Sequence, residues 1–188
     1  MQNERSQLGQ LGLGLLFIGA GVLFLLQNLG VFGGFSPILW ALIFAAGAFL
    51  FLALFIGDYH QRWWAAIPGM TLFGLAGAAL FDTLNMGFLG QLGGPFFLAS
   101  IGAGFVLVFA TNPSFWWAII PGGVLGTLAL VAAVEEFGDG RFEAGSVFFL
   151  GLGITFLVLG LLPRADGRAL RWALIPAGVL LLLGLLVN

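Results

Sequence analysis

Residues 63–81 read WWAAIPGMTLFGLAGAALF, nineteen residues without one charged side chain. A helix needs roughly 20 mainly apolar residues to cross the hydrocarbon core of a bilayer. The stretch does not alternate apolar and polar residues, as the strands of a membrane β-barrel do. It is therefore predicted to be a membrane-spanning α-helix.

The rest of the chain has the same character. Of its 188 residues, 61% are apolar and 7% are charged, whereas soluble domains carry about 25% charged residues. The chain 1–188 is therefore predicted to be a single integral membrane domain of the all-α class, with seven transmembrane helices. The seven predicted spans are Leu8–Leu26, Pro37–Ile56, Trp63–Phe81, Leu92–Ala110, Phe115–Val134, Ala144–Leu162 and Trp172–Val187.

A two-helix repeat is predicted from a recurring Trp-x-x-x-Pro motif. The motif at Trp64–Pro68 returns at Trp117–Pro121 and Trp172–Pro176, at spacings of 53 and 55 residues, the length of one helical hairpin. The chain is therefore predicted to contain about three and a half repeats in parallel orientation. The predicted hairpins lie near 8–56, 63–110 and 115–162, and a closing helix lies at 170–187. Such repeats fit a closed bundle or a row of hairpins. Each proline lacks the N–H that bonds the carbonyl four residues back, so a slight bend is predicted there.

The arginines predict the orientation in the membrane. With seven spans, five of the six arginines share one side, and only Arg141 lies on the other. Because basic loops stay in the cytoplasm, the N-terminus is predicted to be cytoplasmic and the C-terminus extracytoplasmic. Five tryptophans at the same level are predicted to anchor the helices at the membrane interface, as an aromatic belt does. They are Trp63, Trp64, Trp116, Trp117 and Trp172.

Four helix starts are predicted from polar caps. Ser36 precedes Pro37 and Asn112 precedes Pro113, an arrangement that places a capping oxygen before a proline at the first helical position. Asp58 is predicted to cap the third span in the same way, and Asp166 the seventh.

Catalytic and metal chemistry lacks its usual residues. Without cysteine, the chain has no thiolate ligand or cysteine nucleophile. The one histidine, His60, lies in a short predicted loop without partners at metal-ligand spacing. Every ionisable residue falls outside the predicted spans, so proton relays within the membrane are not expected. We therefore expect no catalytic residue, no cofactor, no metal and no enzymatic activity, and the net charge of −2 argues against nucleic acid as a partner.

One polar constellation is a candidate site. When the repeats are aligned, Asp82 and Glu135 share a position at the outer end of a predicted helix, and Glu136 follows Glu135. The functional interpretation is an outer acidic rim that gathers cations or docks a partner. The alternative is that polar groups mark the place where helices leave the membrane.

The first hairpin resembles a known bacterial family. Residues 14–30 read GLLFIGAGVLFLLQNLG, and residues 36–40 read SPILW. This pattern is similar to the LiaI/LiaF-like transmembrane region, which has a glycine-rich helix ending in Leu-Leu-x-Asn-Leu-Gly and then a helix marked by Trp and Pro. The resemblance covers about residues 11–55. It implies a bacterial cytoplasmic-membrane protein, associated with envelope-stress sensing or regulation.

Small residues favour a function in helix–helix contact. Gly122-x-x-x-Gly126 fits the close-packing motif of membrane helices, and Ser100-x-x-x-Gly104 and Gly74-x-x-x-Ala78 fit its looser form. The leading hypothesis is a non-enzymatic protein whose partners are the lipid bilayer and either a membrane protein or further copies of itself. One alternative is a channel or carrier for a small neutral or apolar solute. Another is an accessory subunit of a larger membrane complex.

Overall fold

The computed structural model describes residues 18, 21–22, 25–26, 29, 37–83, 87–138, 143–162 and 170–187. The chain forms two compact units, Met1–Ser36 and Pro37–Asn188. In the first unit the described residues Ile18, Gly21, Val22, Leu25 and Leu26 are helical, and the Leu29 N–H donates to the Leu25 carbonyl over 3.0 Å. The rest of the first predicted span lies outside the described residues, and the single domain stays a prediction.

The described part of the second unit is all-α, with seven α-helices and no strand. Three of the helices are preceded by a 3-10 helix, at Trp63–Ala65, Pro113–Ala118 and Arg171–Ala173. The α-helices are α1 (Pro37–Gly57), α2 (Ala66–Thr83), α3 (Phe88–Gln91), α4 (Gly93–Thr111), α5 (Ile119–Phe137), α6 (Ala144–Leu161) and α7 (Leu174–Leu186).

Five helical stretches are long and apolar enough to cross a membrane, so the fold is that of a multi-pass membrane protein. They correspond to the second through sixth predicted spans, within three residues at each boundary. The stretch Arg171–Leu186, which contains α7, is equally apolar but shorter. The five are Ile38–Gly57, Trp63–Thr83, Gly93–Thr111, Pro113–Phe137 and Ala144–Leu161.

The Trp-x-x-x-Pro motif lies where each of three α-helices begins. Each motif tryptophan lies in a 3-10 helix, and Pro68, Pro121 and Pro176 lie in the first turn of α2, α5 and α7. Backbone N–H groups in a first helical turn have no intrahelical acceptor, so proline loses nothing there. The slight bend stays a prediction; the structure shows a change from 3-10 to α-helical geometry between each motif tryptophan and its proline.

Of the predicted caps, one is confirmed. The Asn112 Oδ1 accepts from the Ser114 N–H over 2.9 Å, with Pro113 at the first position, although the helix it caps is 3-10. Asp58 instead closes the preceding loop, where its Oδ1 accepts from the Gln61 N–H over 3.2 Å. The 3-10 helix at Trp63 starts five residues after Asp58 and has Arg62 at its N-cap position, and Ser36 and Asp166 lie outside the described residues.

The long helices lie side by side in chain order. In the described part of this unit each packs mainly against the long helix before it and the long helix after it, and α3 is a one-turn connector between α2 and α4. The outermost helices, α1 and α7, therefore pack against only α2 and α6, respectively, among the described long helices. The sequence pattern was compatible with a closed bundle and with a row of hairpins. The described helices form a row.

Small residues lie between the helices, and large apolar residues face outward. Among the described residues, nine of the twelve buried hydrophobic ones are alanines, and Ser100, Thr127, Ser146 and Thr155 are also buried. Phe49, Ile56 and Leu161 are among the many large side chains left exposed. Exposure of large apolar side chains is unfavourable in water but not in lipid. The large side chains can therefore face outward, and the small residues between the helices let the backbones approach closely.

Candidate functional site

One close helix crossing joins α4 to α5 through glycine. A Cβ added at Gly102 would lie 3.0 Å from the Gly122 carbonyl oxygen and 3.3 Å from the Gly126 nitrogen. On the other side of α4, a Cβ at Gly104 would lie 3.2 Å from the Ala66 carbonyl oxygen of α2. Helix α4 thus meets the backbone of both neighbours, which only residues without a side chain allow.

A reciprocal pair of contacts joins α5 to α6. A Cβ at Gly123 would overlap the side chain of Thr155, and a Cβ at Gly151 would overlap the side chain of Thr127. The Thr155 hydroxyl donates to the Gly151 carbonyl of its own helix over 2.9 Å. Each helix therefore presents a glycine and, one turn later, a threonine that fills the glycine gap of the other. The motif Gly-x-x-x-Thr was not among the small-residue motifs singled out from the sequence.

Leucines of one helix fill glycine gaps of the other between α6 and α7. A Cβ at Gly153 would lie 2.7 Å from Leu181 Cγ, and a Cβ at Gly160 would lie 2.6 Å from Leu174 Cδ2. These contacts recur every seven residues along both helices, the period of antiparallel helices that pack along a seam. The Ser146 hydroxyl adds an interhelical hydrogen bond of 2.7 Å to the Gly184 carbonyl.

Equivalent residues of the three motifs have equivalent burial. The alanine that follows each motif tryptophan is completely buried. The residue that follows each proline is also buried, and in every case it faces the preceding long helix. The alanines are Ala65, Ala118 and Ala173, and the post-proline residues are Gly69, Gly122 and Ala177.

The face that turns toward the next helix differs in α7. Six residues after the proline, Gly74 of α2 is buried against α4 and Thr127 of α5 is 3% exposed, whereas Leu182 of α7 is 60% exposed. Two residues after the proline, Gly123 is filled by Thr155, but nothing lies within 4 Å of a Cβ at Gly178. We call Ile175, Gly178, Leu182 and Leu185 the open face of α7; its three large side chains are at least 60% exposed.

Two apolar grooves lie between alternate helices, one toward each end of the long helices. The basic-end groove, about 330 Å³, lies over α5 between α4 and α6, on the side of the tryptophans. The acidic-end groove, about 350 Å³, lies over α4 between α2 and α5. The first is lined by Val106, Phe109, Ile119, Gly122, Gly123, Ile154, Thr155, Val158 and Leu162. The second is lined by Phe81, Leu92, Pro95, Phe96, Ala99, Gly126, Ala129 and Leu130.

The five predicted anchor tryptophans divide into two environments. Trp64, Trp117 and Trp172, one in each motif, are between 39% and 50% exposed. Trp63 and Trp116 are half-buried. The Trp63 ring lies 4.7 Å from the Phe115 ring, centroid to centroid, and thus joins the starts of α2 and α5. Interface anchoring stays a prediction for all five.

The candidate acidic rim consists of exposed side chains in last helical turns. Asp82 lies near the end of α2, and Glu135 and Glu136 lie near the end of α5, so both helices continue past the predicted spans. The Phe88 and Phe137 rings lie 4.5 Å apart, which places the segment after α2 beside the end of α5. In the described part of the chain, no group of three or more His, Asp or Glu side chains is placed to hold a metal ion.

The chain matches no protein-family model, no curated protein and no solved structure with which it was compared.

Proposed function

We propose that the protein is a non-enzymatic membrane protein that acts by binding a helix of a partner chain. The open face of α7 carries this proposal. The same faces of α2 and α5 are covered by the next helix of the chain, while α7 has no next helix among the described residues. The accessory-subunit role and the regulatory role implied by the family resemblance are both forms of this function.

The covered faces indicate what kind of helix fits. On α5 the covering helix α6 is antiparallel and places Thr155 over Gly123; on α2 the covering helix α4 is antiparallel and places Ser100 beside Gly74. Between membrane helices, such close contacts of small residues supply van der Waals packing in place of the hydrophobic effect. We therefore expect the partner helix to run antiparallel to α7 and to place a small or hydroxyl side chain opposite Gly178, as α6 does on α5.

The open face provides a first test. Gly178→Leu is expected to abolish association with the partner and to leave the fold intact, because a side chain at this position enters space that no described residue of the chain occupies. The measurement is mild extraction of the tagged chain from its native membrane, followed by mass spectrometry of the proteins that accompany it. A stoichiometric protein that is present with the wild type and absent with the variant is the expected result.

The control is Leu183→Cys, on the same helix but away from the open face, compared with Leu182→Cys in a chain without other cysteines. Disulfide or cross-linker trapping of a second protein, or of a second copy of the chain, is expected at position 182 and not at 183. Equal trapping at the two positions, or retention of the partner by Gly178→Leu, would contradict the proposal.

The proposal includes the topology and location of the chain. We propose that it has seven spans in about three and a half parallel repeats and lies in the cytoplasmic membrane of a bacterium. The three equivalent helix starts support the repeat, and the arginine distribution supports a cytoplasmic N-terminus. The substitutions Asp139→Cys and Asp166→Cys, one at a time, are expected to react with a membrane-impermeant thiol reagent from opposite sides of the membrane, with position 139 outside. Reaction from the same side would require a different number of spans.

A further inference from the structure

We propose that the partner presents a helical hairpin rather than a single helix, and that a carboxylate at the start of the second helix of this hairpin pairs with Arg171. This inference rests on the proposed function, because the first helix of the hairpin is the one that covers the open face of α7. It is drawn from two apolar clusters that lie where the motif tryptophans are, at what we call the basic end of the long helices.

The first cluster joins three helices at the basic end. The last turns of α4 contribute Val108, and the 3-10 helix before α5 contributes Ala118; both are completely buried. Trp63, at the start of α2, packs against this cluster, and its ring lies 4.7 Å from the Phe115 ring, centroid to centroid. Trp63 therefore connects its own helix to the hairpin that α4 and α5 form.

The second cluster repeats this arrangement one hairpin later. Its buried members are Leu159 near the end of α6 and Leu170 and Ala173 before α7. Trp116, which lies 53 residues after Trp63, packs against them. In both clusters, the residue before a motif tryptophan therefore contacts the hairpin that follows it in the chain.

Helix α7 carries the residues for one side of a third cluster. Arg171 lies 55 residues after Trp116, in the position before the motif tryptophan, and is exposed. Ile175, the equivalent of Ile120 in the second cluster, is 72% exposed, whereas Ile120 is half-buried. No described helix follows α7 to complete the cluster. A partner that continues the row therefore meets Arg171 and Ile175 at the basic end.

The two complete clusters indicate the shape of the missing part. In each, one continuous segment supplies both the end of the covering helix and the start of the next helix, at 105–118 and at 156–173. A single covering helix would supply only the first of these contributions. We therefore expect the partner to turn at the basic end and to continue with a second helix, parallel to α7, that starts beside Arg171.

The side chain at position 171 indicates the chemistry of that second helix. Trp63 and Trp116 are half-buried among apolar residues, whereas Arg171 carries a permanent positive charge. Trp63 contacts the following hairpin at Phe115, just before α5 begins. Carboxylates are favoured at the start of a helix by the helix dipole, and they form charge-assisted hydrogen bonds with arginine. An Asp or Glu at this point of the partner complements both its own helix and Arg171.

Charge exchange tests the pairing in the complex extracted mildly from the native membrane. Arg171→Glu is expected to lower the recovery of the partner about tenfold, because like charges across an interface repel. Replacement of an Asp or Glu at the start of the partner's second helix by Arg is expected to restore recovery. Such a rescue requires a folded chain, so misfolding does not imitate it. Arg62→Glu is the matched control, since Arg62 is also exposed at the basic end, beside Trp63, and it is expected to leave the partner bound.

Photo-cross-linking from two positions of α7 tests the hairpin. Ile175→p-benzoylphenylalanine is expected to label the partner on both sides of its basic-end turn. Leu182→p-benzoylphenylalanine is expected to label the first helix alone, because position 182 lies about two turns farther from the basic end. Peptide mapping by mass spectrometry identifies the labelled segments.

Four results would overturn the inference and leave the proposed function standing, provided that Gly178→Leu still releases the partner. They are full recovery of the partner by Arg171→Glu, equal losses in Arg171→Glu and Arg62→Glu, failure of every charge reversal in the partner to restore recovery, and labelling of one partner helix alone from both positions. Labelling of lipid or of a second copy of the chain from position 175 would overturn it as well. Retention of the partner by Gly178→Leu would contradict the proposed function itself.

Discussion

Gly102→Ala is expected to lower the free energy of unfolding by about 1–3 kcal/mol, the usual cost of overpacking a tight interface. The added Cβ would lie 3.0 Å from the Gly122 carbonyl oxygen and 3.3 Å from the Gly126 nitrogen. Both atoms belong to the backbone of α5, so no side-chain rotation relieves the contact. The helices α4 and α5 must separate, and packing over the whole crossing is weakened. Unfolding in mixed micelles of increasing denaturing detergent, followed by circular dichroism, measures the loss.

Gly126→Ala is the control for this prediction. Gly126 lies in the same interface, yet nothing lies within 4 Å of a Cβ built at this position. Both substitutions gain about 1 kcal/mol of intrinsic helix propensity, so the difference between them isolates the contact. Gly126→Ala is expected to leave stability unchanged or to raise it. Equal effects of the two variants would mean that α4 and α5 do not cross at Gly102.

Gly123→Ala is expected to destabilise the protein by a similar amount, about 1–3 kcal/mol, and the loss is expected to depend on Thr155. The added Cβ would overlap Thr155 Cγ2 and Oγ1 and would lie 2.8 Å from Thr155 Cβ. A β-branched side chain in a helix has few rotamers to escape into. Because Thr155 Cβ is fixed to the backbone, rotation alone does not remove the overlap.

A double-mutant cycle with Thr155→Gly tests this dependence. Thr155→Gly is expected to be destabilising by itself, because it opens the interface and places glycine within α6. In that background Gly123→Ala is expected to cost much less, since the three nearest atoms that the new methyl group would meet all belong to the Thr155 side chain. The coupling energy measures the contact directly. Additive effects of the two substitutions would show that α5 and α6 pack in another register.

Much of the local structure was predictable from residue patterns. The second through sixth predicted spans correspond to the long helices, because in lipid every backbone polar group must be bonded within its own helix, so an apolar run of this length has one stable form. The exact helix starts were less predictable. Trp64, Trp117 and Trp172 adopt 3-10 rather than α-helical geometry, and the position of proline alone does not distinguish the two.

The candidate surfaces were predictable only in part. Gly122 and Gly104 were singled out from the sequence, and the structure places both in backbone contact with a neighbouring helix. Gly126 belongs to the same motif but leaves open space, and Gly123, outside the motif, is filled by Thr155. With 31 glycines in the chain, the spacing of small residues does not state which of them face a neighbour, because that depends on the rotation of each helix about its axis.

Residue patterns alone were enough to predict a multi-pass helical membrane chain and the positions of its long described helices, since composition and hydrophobic length decide these properties locally. The packing of the helices was needed to show that the described helices form a row, that no described residue covers Gly178 and Leu182 of α7, and that two apolar grooves lie between alternate helices. The physical reason is that lipid-facing and protein-facing surfaces of a membrane helix are both apolar, so the sequence pattern does not separate them and only the packing of neighbouring helices does.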